Sequence, residues 1–170
     1  MNKFIFKLFI LTFILSILFS GIINLISHNT GQIVHLIIIV AVIVIAIIFD
    51  MVSTASLTSK EASFHAMNSR RVKGAKEAIY LIKNNAKVVG ICSDLIGDVL
   101  GIASGGLGVV LAISISISNG FNLALTTVLI SAFISAFTVG GKALFKEVAI
   151  KNSDKIIYIC GKLISILKFK

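Results

Sequence analysis

Lysine and arginine are missing from two long stretches of this 170-residue chain, 8–59 and 88–141. All sixteen fall instead at Lys3 and Lys7, between Lys60 and Lys87, and between Lys142 and Lys170. Tryptophan is absent, and only 14% of residues are charged while 57% are hydrophobic. Soluble domains run at roughly 45–50% apolar and about a quarter charged, so a water-soluble globular domain is excluded. Only two cysteines occur, Cys92 and Cys160, with no CxxC pair or secreted disulfide framework, and both read as packing residues.

Long apolar runs fill the spaces that the basic residues avoid. A bilayer accounts for this alternation, because loops retained on the cytoplasmic side keep Lys and Arg and translocated loops shed them. The +9 formal charge could suggest nucleic acid. The basic residues flank apolar spans, however, and no aromatic-plus-basic module accompanies them, so an anionic inner leaflet is the expected partner and nucleic acid is not.

Four stretches reach the roughly 17–25 residues that a helix needs to cross a bilayer. The first is 4–26, for which the basic Lys3 and Lys7 also permit a cleaved signal peptide; the length of the run and the lack of an A-x-A site favour a retained helix. The second, 34–57, is almost wholly aliphatic over 36–49 and then meets Asp50, Ser53 and Thr54. The third, 88–113, carries Asp94 and Asp98, and the fourth is 121–141. His28 and Asn29 fall in one outer loop and Ser118, Asn119 and Gly120 in the other. The expectation is an all-α integral membrane bundle of four transmembrane helices in the cell membrane, multi-pass, with both termini cytoplasmic.

The polar segment 58–87 predicts two short juxtamembrane helices along the membrane face, the first opened by a Thr58/Glu61 capping box. After Lys146 the chain turns amphipathic, with Ile156, Ile157, Ile159, Leu163 and Leu167 against Lys151, Lys155, Lys162 and Lys168. This C-terminal helix is expected on the inner leaflet or against the first polar segment. The domain plan is an N-terminal helix and outer loop (1–33), a transmembrane domain (34–165) and a basic end (166–170), with no soluble domain following.

Candidate chemistry lies in the third span. Gly90, Asp94, Asp98 and Gly101 share one helical stripe, and Gly97, Gly101 and Gly105 make two overlapping GxxxG steps. Both carboxylates are therefore expected on the face that meets protein. An Asp at mid-bilayer costs about 2.5–3.5 kcal/mol on insertion scales, and a cation, a cavity, a basic partner or protonation must compensate. Carboxylates, hydroxyls and free carbonyls suit hard cations. Asp50, Ser53, Thr54, Ser93, Asp94, Asp98 and the carbonyls of Gly140 and Gly141 are the candidates, the glycine pair exposing carbonyls if the helix unwinds there. A salt bridge from Asp50 or Asp98 to Lys142 is the alternative. His28 and His65 read as solvated, and His35 as an outer-interface residue. No nucleophile elbow, P-loop, HExxH or EF-hand spacing occurs, so enzymatic activity is not expected.

From residue 49 onward the layout resembles the transmembrane domain of the CNNM/CorC family of magnesium transporters. The stretch I-F-D-M-V-S-T-A at 48–55 stands where the family commonly shows F-F-S-G-S-E-T-A, and R-R-V-K-G-A-K-E-A at 70–78 resembles its juxtamembrane G-A-x-x-A. I-G-D-V-L at 96–100 resembles I-G-N-x-L, and G-K-A-L-F-K at 141–146 with N-S-D-K at 152–155 aligns with G-E-x-x-P-K and N-P-E-K. The resemblance covers roughly 34–165 and implies a Mg²⁺ site in which Asp50 replaces a serine, Asp98 the asparagine, and Gly141 matches a glycine. Ser53 falls on the motif's glutamate, and Val52, Lys142 and Phe145 depart from a serine, a glutamate and a proline. The family's CBS pair and C-terminal soluble domain have no counterpart, so ATP-linked regulation is not expected.

The resulting expectation is a homodimer that binds or transports a divalent cation, Mg²⁺ first, at Asp50, Ser53, Asp94, Asp98 and Gly141. The alternatives are a non-transporting membrane partner in which Lys142 neutralises an Asp, and a small pore.

Overall fold

The computed structural model describes residues 2–27 and 30–168 and contains no strand among them. The outer-loop residues His28 and Asn29 and the last two residues lie outside the described set. Helices α1 (Asn2–Ser27), α2 (Gln32–Thr58), α3 (Glu61–Ser69), α4 (Ala75–Lys83) and α5 (Asn85–Val89) lead into a π-helical segment, Gly90–Gly97. Helices α6 (Asp98–Asn119), α7 (Leu123–Lys151) and α8 (Ser153–Lys168) follow.

Three helical stretches are long and apolar enough to cross a membrane: Gln32–Thr58, Asn85–Asn119 and Leu123–Lys151. At 27 residues and about 1.5 Å per residue, α2 alone exceeds the roughly 30 Å hydrocarbon core. Helix α1 contributes a shorter apolar stretch, Phe9–Ile22.

The chain divides into two compact units, Met1–Ile47 with Leu95–Gly141, and Ile48–Asp94 with Lys142–Lys170. In the first unit α1 packs on α6. Gly108 of α6 is held close to α7, since a Cβ there would collide with Cδ1 of Ile134. The Gln32 amide, at the start of α2, donates to the Ser114 carbonyl (3.2 Å) and to Ser118 Oγ (2.8 Å).

The second unit has its own core. Phe64 of α3, Ala78 of α4, Ala55 of α2 and Ile157 of α8 are buried together, with Met67, Ile79, Leu81, Ile82, Ile156 and Tyr158 packed around them. Helix α4 packs on both α3 and α8. Its contact with α8 is backbone to backbone, because a Cβ on Gly161 would strike the Gly74 carbonyl oxygen and come within 2.9 Å of the Ala78 nitrogen. Gly74 also takes φ +88°, a left-handed conformation that side chains disfavour. Arg71, with φ +55°, makes the other sharp bend between α3 and α4.

Two local expectations are corrected here. The Thr58/Glu61 capping box does not form: Thr58 ends α2 and its hydroxyl donates back to the Thr54 carbonyl (3.0 Å). Helix α3 is capped from α8 instead, where Asp154 Oδ1 accepts from the Lys60 N–H (3.0 Å) and Oδ2 from the Ser63 hydroxyl (3.4 Å). The chain does not unwind at Gly140 and Gly141, which lie inside α7 with their carbonyls committed to the helical ladder. A Cβ on Gly141 would sit 2.5 Å from Ile47 Cδ1, so the glycine serves close packing within the first unit.

Candidate polar site

Residues 36–49 keep α2 aliphatic, and the helix then turns polar over Asp50, Ser53, Thr54 and Ser56. Ser53, Thr54 and Ser56 are all buried, Ser56 completely. Buried hydroxyls need acceptors. Ser56 finds one in the Ser53 carbonyl (2.7 Å), an i−3 bond that leaves the helix intact.

Asp50 is half-buried and accepts a hydrogen bond from Ser93 Oγ at 2.8 Å through its Oδ1. Ser93 belongs to the π-helical segment, which glycines open and close at Gly90 and Gly97. A π-helix bonds i to i+5, widens the turn and shifts the register of everything after it; such segments concentrate at functional sites. Glycine at its ends tolerates the changed packing, and both glycines are buried. The π segment therefore carries a hydroxyl to Asp50, and the second unit holds an oxygen-rich patch made of Asp50, Ser93 and the buried hydroxyls of α2.

The predicted acidic stripe is redrawn by that register shift. Spaced i, i+4 and i+8 on a uniform α-helix, Gly90, Asp94 and Asp98 would share one face. With the π segment between them, Ser93 meets Asp50 while Asp94 is exposed. Asp98, which opens α6 in the first unit, is exposed as well, and Leu95, Val99 and Leu100 take the buried positions. A Cβ added at Gly101 or Gly105 would meet nothing within 4 Å, so this part of the GxxxG stripe faces open space in the single chain. Both carboxylates thus lie off the face that meets protein within one chain.

Of the five predicted ligands, Asp50 and Ser53 lie one helical turn apart on α2, Asp94 is exposed, and Asp98 and Gly141 belong to the first unit. Among the described residues no three His, Cys, Asp or Glu side chains converge as a metal cluster. Lys142 is half-buried and forms no salt bridge with Asp50 or Asp94 among the described residues.

Sequence reasoning missed two features. The π segment was signalled by Gly90 and Gly97 bracketing a polar Ser-Asp pair in an otherwise apolar span. The other is the burial of His35, whose Nδ1 lies 3.1 Å from the Gly31 carbonyl and whose Nε2 has no hydrogen-bond partner. Cys160, on α8, is half-buried, and burial pushes its thiol above the ordinary range, in keeping with a packing role.

No protein-family model, curated protein or solved structure matches the chain.

Proposed function

We propose that this is a multi-pass membrane protein with a CNNM/CorC-like transmembrane core that binds a divalent cation, Mg²⁺ first, and passes it across the bilayer. The observation that carries the reading is the Asp50–Ser93 hydrogen bond between α2 and the π segment, within stretches long and apolar enough to span a membrane. A carboxylate is expensive to retain in such a place unless it has work to do, and an intramembrane acid is by default a candidate ion ligand. Asp50 with the Ser93 hydroxyl forms the start of an all-oxygen set that suits Mg²⁺, which keeps several of its waters and needs few protein ligands. Asp94, next along the chain from Ser93, supplies a second carboxylate on a segment whose register can shift by one residue. That shift provides a means of alternating exposure.

The same observation favours a cation over the salt-bridge reading, in which Lys142 would neutralise Asp50; here Asp50 is bonded to a neutral hydroxyl. In the proposed topology four helices span, α1 included, both termini are cytoplasmic, and the Lys- and Arg-rich second unit faces the cytoplasm. Asp98 and Gly141, the other positions the family resemblance implicates, belong to the first unit and stay outside the proposed ligand set; the assembly is proposed to be a homodimer.

Thermal unfolding of detergent-purified protein across a Mg²⁺ series, with Ca²⁺, Mn²⁺ and Na⁺ as controls, tests this. A ligand that binds only the folded state stabilises by RT ln(1 + [L]/Kd), about 2.7 kcal/mol at a hundredfold excess over Kd. The expected result is a Mg²⁺-dependent rise in Tm that Asp50→Asn abolishes. A flat series at millimolar metal overturns the cation site.

A further inference from the structure

Helix α8 turns a face of mostly small residues into the fold and leaves an aliphatic stripe uncovered on the other side. Ser153, Ile157, Gly161 and Ser165, spaced by four, are buried, and through this face α8 packs on α4. On the opposite side Ile159, Leu163 and Ile166 are exposed, at 57%, 56% and 60%. At 3.6 residues per turn these three fall within about 60° of one another, a narrow stripe along the helix. Lys155 and Lys162 border it on one side and are exposed too. Neither lysine has an ion-pair or hydrogen-bond partner among the described residues. The nearest acid in sequence, Asp154, is already engaged by the Lys60 N–H and the Ser63 hydroxyl.

Where α8 begins is also fixed. Only Asn152 separates it from α7, a helix of 29 residues. At about 1.5 Å per residue α7 is close to the roughly 40–45 Å of a bilayer with its headgroups, so a spanning α7 delivers α8 at headgroup level. An exposed aliphatic stripe edged by unpaired lysines is the composition of a helix that lies in a membrane surface: the aliphatic groups enter the acyl boundary while each lysine stem lets its ammonium reach the phosphates.

We propose that the free face of α8 docks on an anionic lipid leaflet, with Ile159, Leu163 and Ile166 inserted and Lys155 and Lys162 on lipid phosphates. Through the α4 contact at Gly161, lipid composition would bear on the whole second unit. This inference is independent of any cation site.

The chain has no Trp, so Leu163→Trp is a unique fluorescent reporter. The full chain carrying it is reconstituted in nanodiscs of phosphatidylcholine, with and without phosphatidylglycerol, using brominated acyl chains as lipid quencher and iodide as aqueous quencher. Ile159→Trp serves as a second reporter on the same stripe. The expected result is quenching by brominated lipid and protection from iodide, both stronger with phosphatidylglycerol. Lys155→Gln with Lys162→Gln should abolish the phosphatidylglycerol dependence. Iodide access to both reporters in either lipid overturns the proposal, and so does quenching indifferent to phosphatidylglycerol. A blue shift in detergent that grows with protein concentration would instead assign the stripe to a second copy of the chain.

Discussion

Apart from Lys3 and Lys7, every lysine and arginine lies in the second unit, whereas the first carries no acidic side chain but Asp98. The first unit exposes Phe, Leu, Ile and Val along its helices, as at Leu125, Val128, Leu129, Phe133 and Phe137 of α7. The second encloses Phe64 and Ile157 in a core and turns its charges outward. One unit is thus built as for a hydrocarbon solvent, where association rests on shape and close approach. The other is built as for water, where burying apolar area drives cohesion. The partition between units falls after Ile47, three residues before Asp50, after Asp94 itself, and after Gly141, next to Lys142.

If the second unit is held by an aqueous-type core, emptying that core should do the largest damage. Phe64 is 1% exposed against Ala55, Ala78 and Ile157. Phe64→Ala should cost about 3–5 kcal/mol through lost burial and the cavity left behind. Amide hydrogen exchange across a urea series would show it as loss of protection in α3 and α4, with the first-unit part of α6 unaffected. Equal loss of protection in both units would break the distinction between them.

Glycine sharpens the comparison at lower cost. Gly161 is pressed on the backbone of α4, so Gly161→Ala must displace main chain and should destabilise by about 1–3 kcal/mol. Gly106, in α6, has open space where a Cβ would go. Gly106→Ala should be neutral or stabilising by up to about 1 kcal/mol, the helix propensity difference. The same hydrogen-exchange measurement, read over α6 for Gly106 and over α4 for Gly161, separates the two. A penalty at Gly106 like that at Gly161 would mean that the face is covered by another chain in the membrane.

The contrast in charge and hydropathy between the units was legible in the sequence because both are set by solvent, residue by residue, but the plan of 1–33, 34–165 and 166–170 did not divide the chain where the units part. The short helices in 58–87 and the amphipathic tail were legible for the same reason. Asp50, Ser53 and Ser93 could be singled out because polar groups are costly in an apolar span. Their pairing could not be, since it depends on a π turn that a uniform 3.6-residue period does not reveal, and one extra residue per turn moved Asp94 off the expected face. Gly141 was misread from its neighbour Gly140: two glycines suggest a helix end, but Ile47 uses the missing Cβ. The Thr58 cap failed because Thr58 is still the last residue of α2 and its hydroxyl bonds the Thr54 carbonyl, while the start of α3 is tied to Asp154, a partner distant in sequence that no local pattern announces.

The smallest expected effect concerns how charge holds the second unit together at its rim. Glu61 of α3 accepts from His65 Nε2 (2.8 Å) and from Lys83 Nζ of α4 (3.2 Å), clipping the two helices. The His65 hydrogen bond, and after it that of Lys83, holds the Glu61 carboxyl below its ordinary value of 4.5. A folded value below the unfolded one means that the clip contributes fully above pH 4.5 and is lost as pH falls through the lowered folded value. All three side chains are substantially exposed, so salt should weaken the effect further. Amide hydrogen exchange of α4, measured at neutral pH and again below Glu61's ordinary range, should show protection falling with acid in the wild type. In Glu61→Gln the acid response should be smaller, with neutral-pH protection already slightly reduced. An identical acid response in the two proteins would place the cohesion of α3 and α4 wholly in the Phe64 core, leaving the charged rim of this unit to solubility and lipid contact.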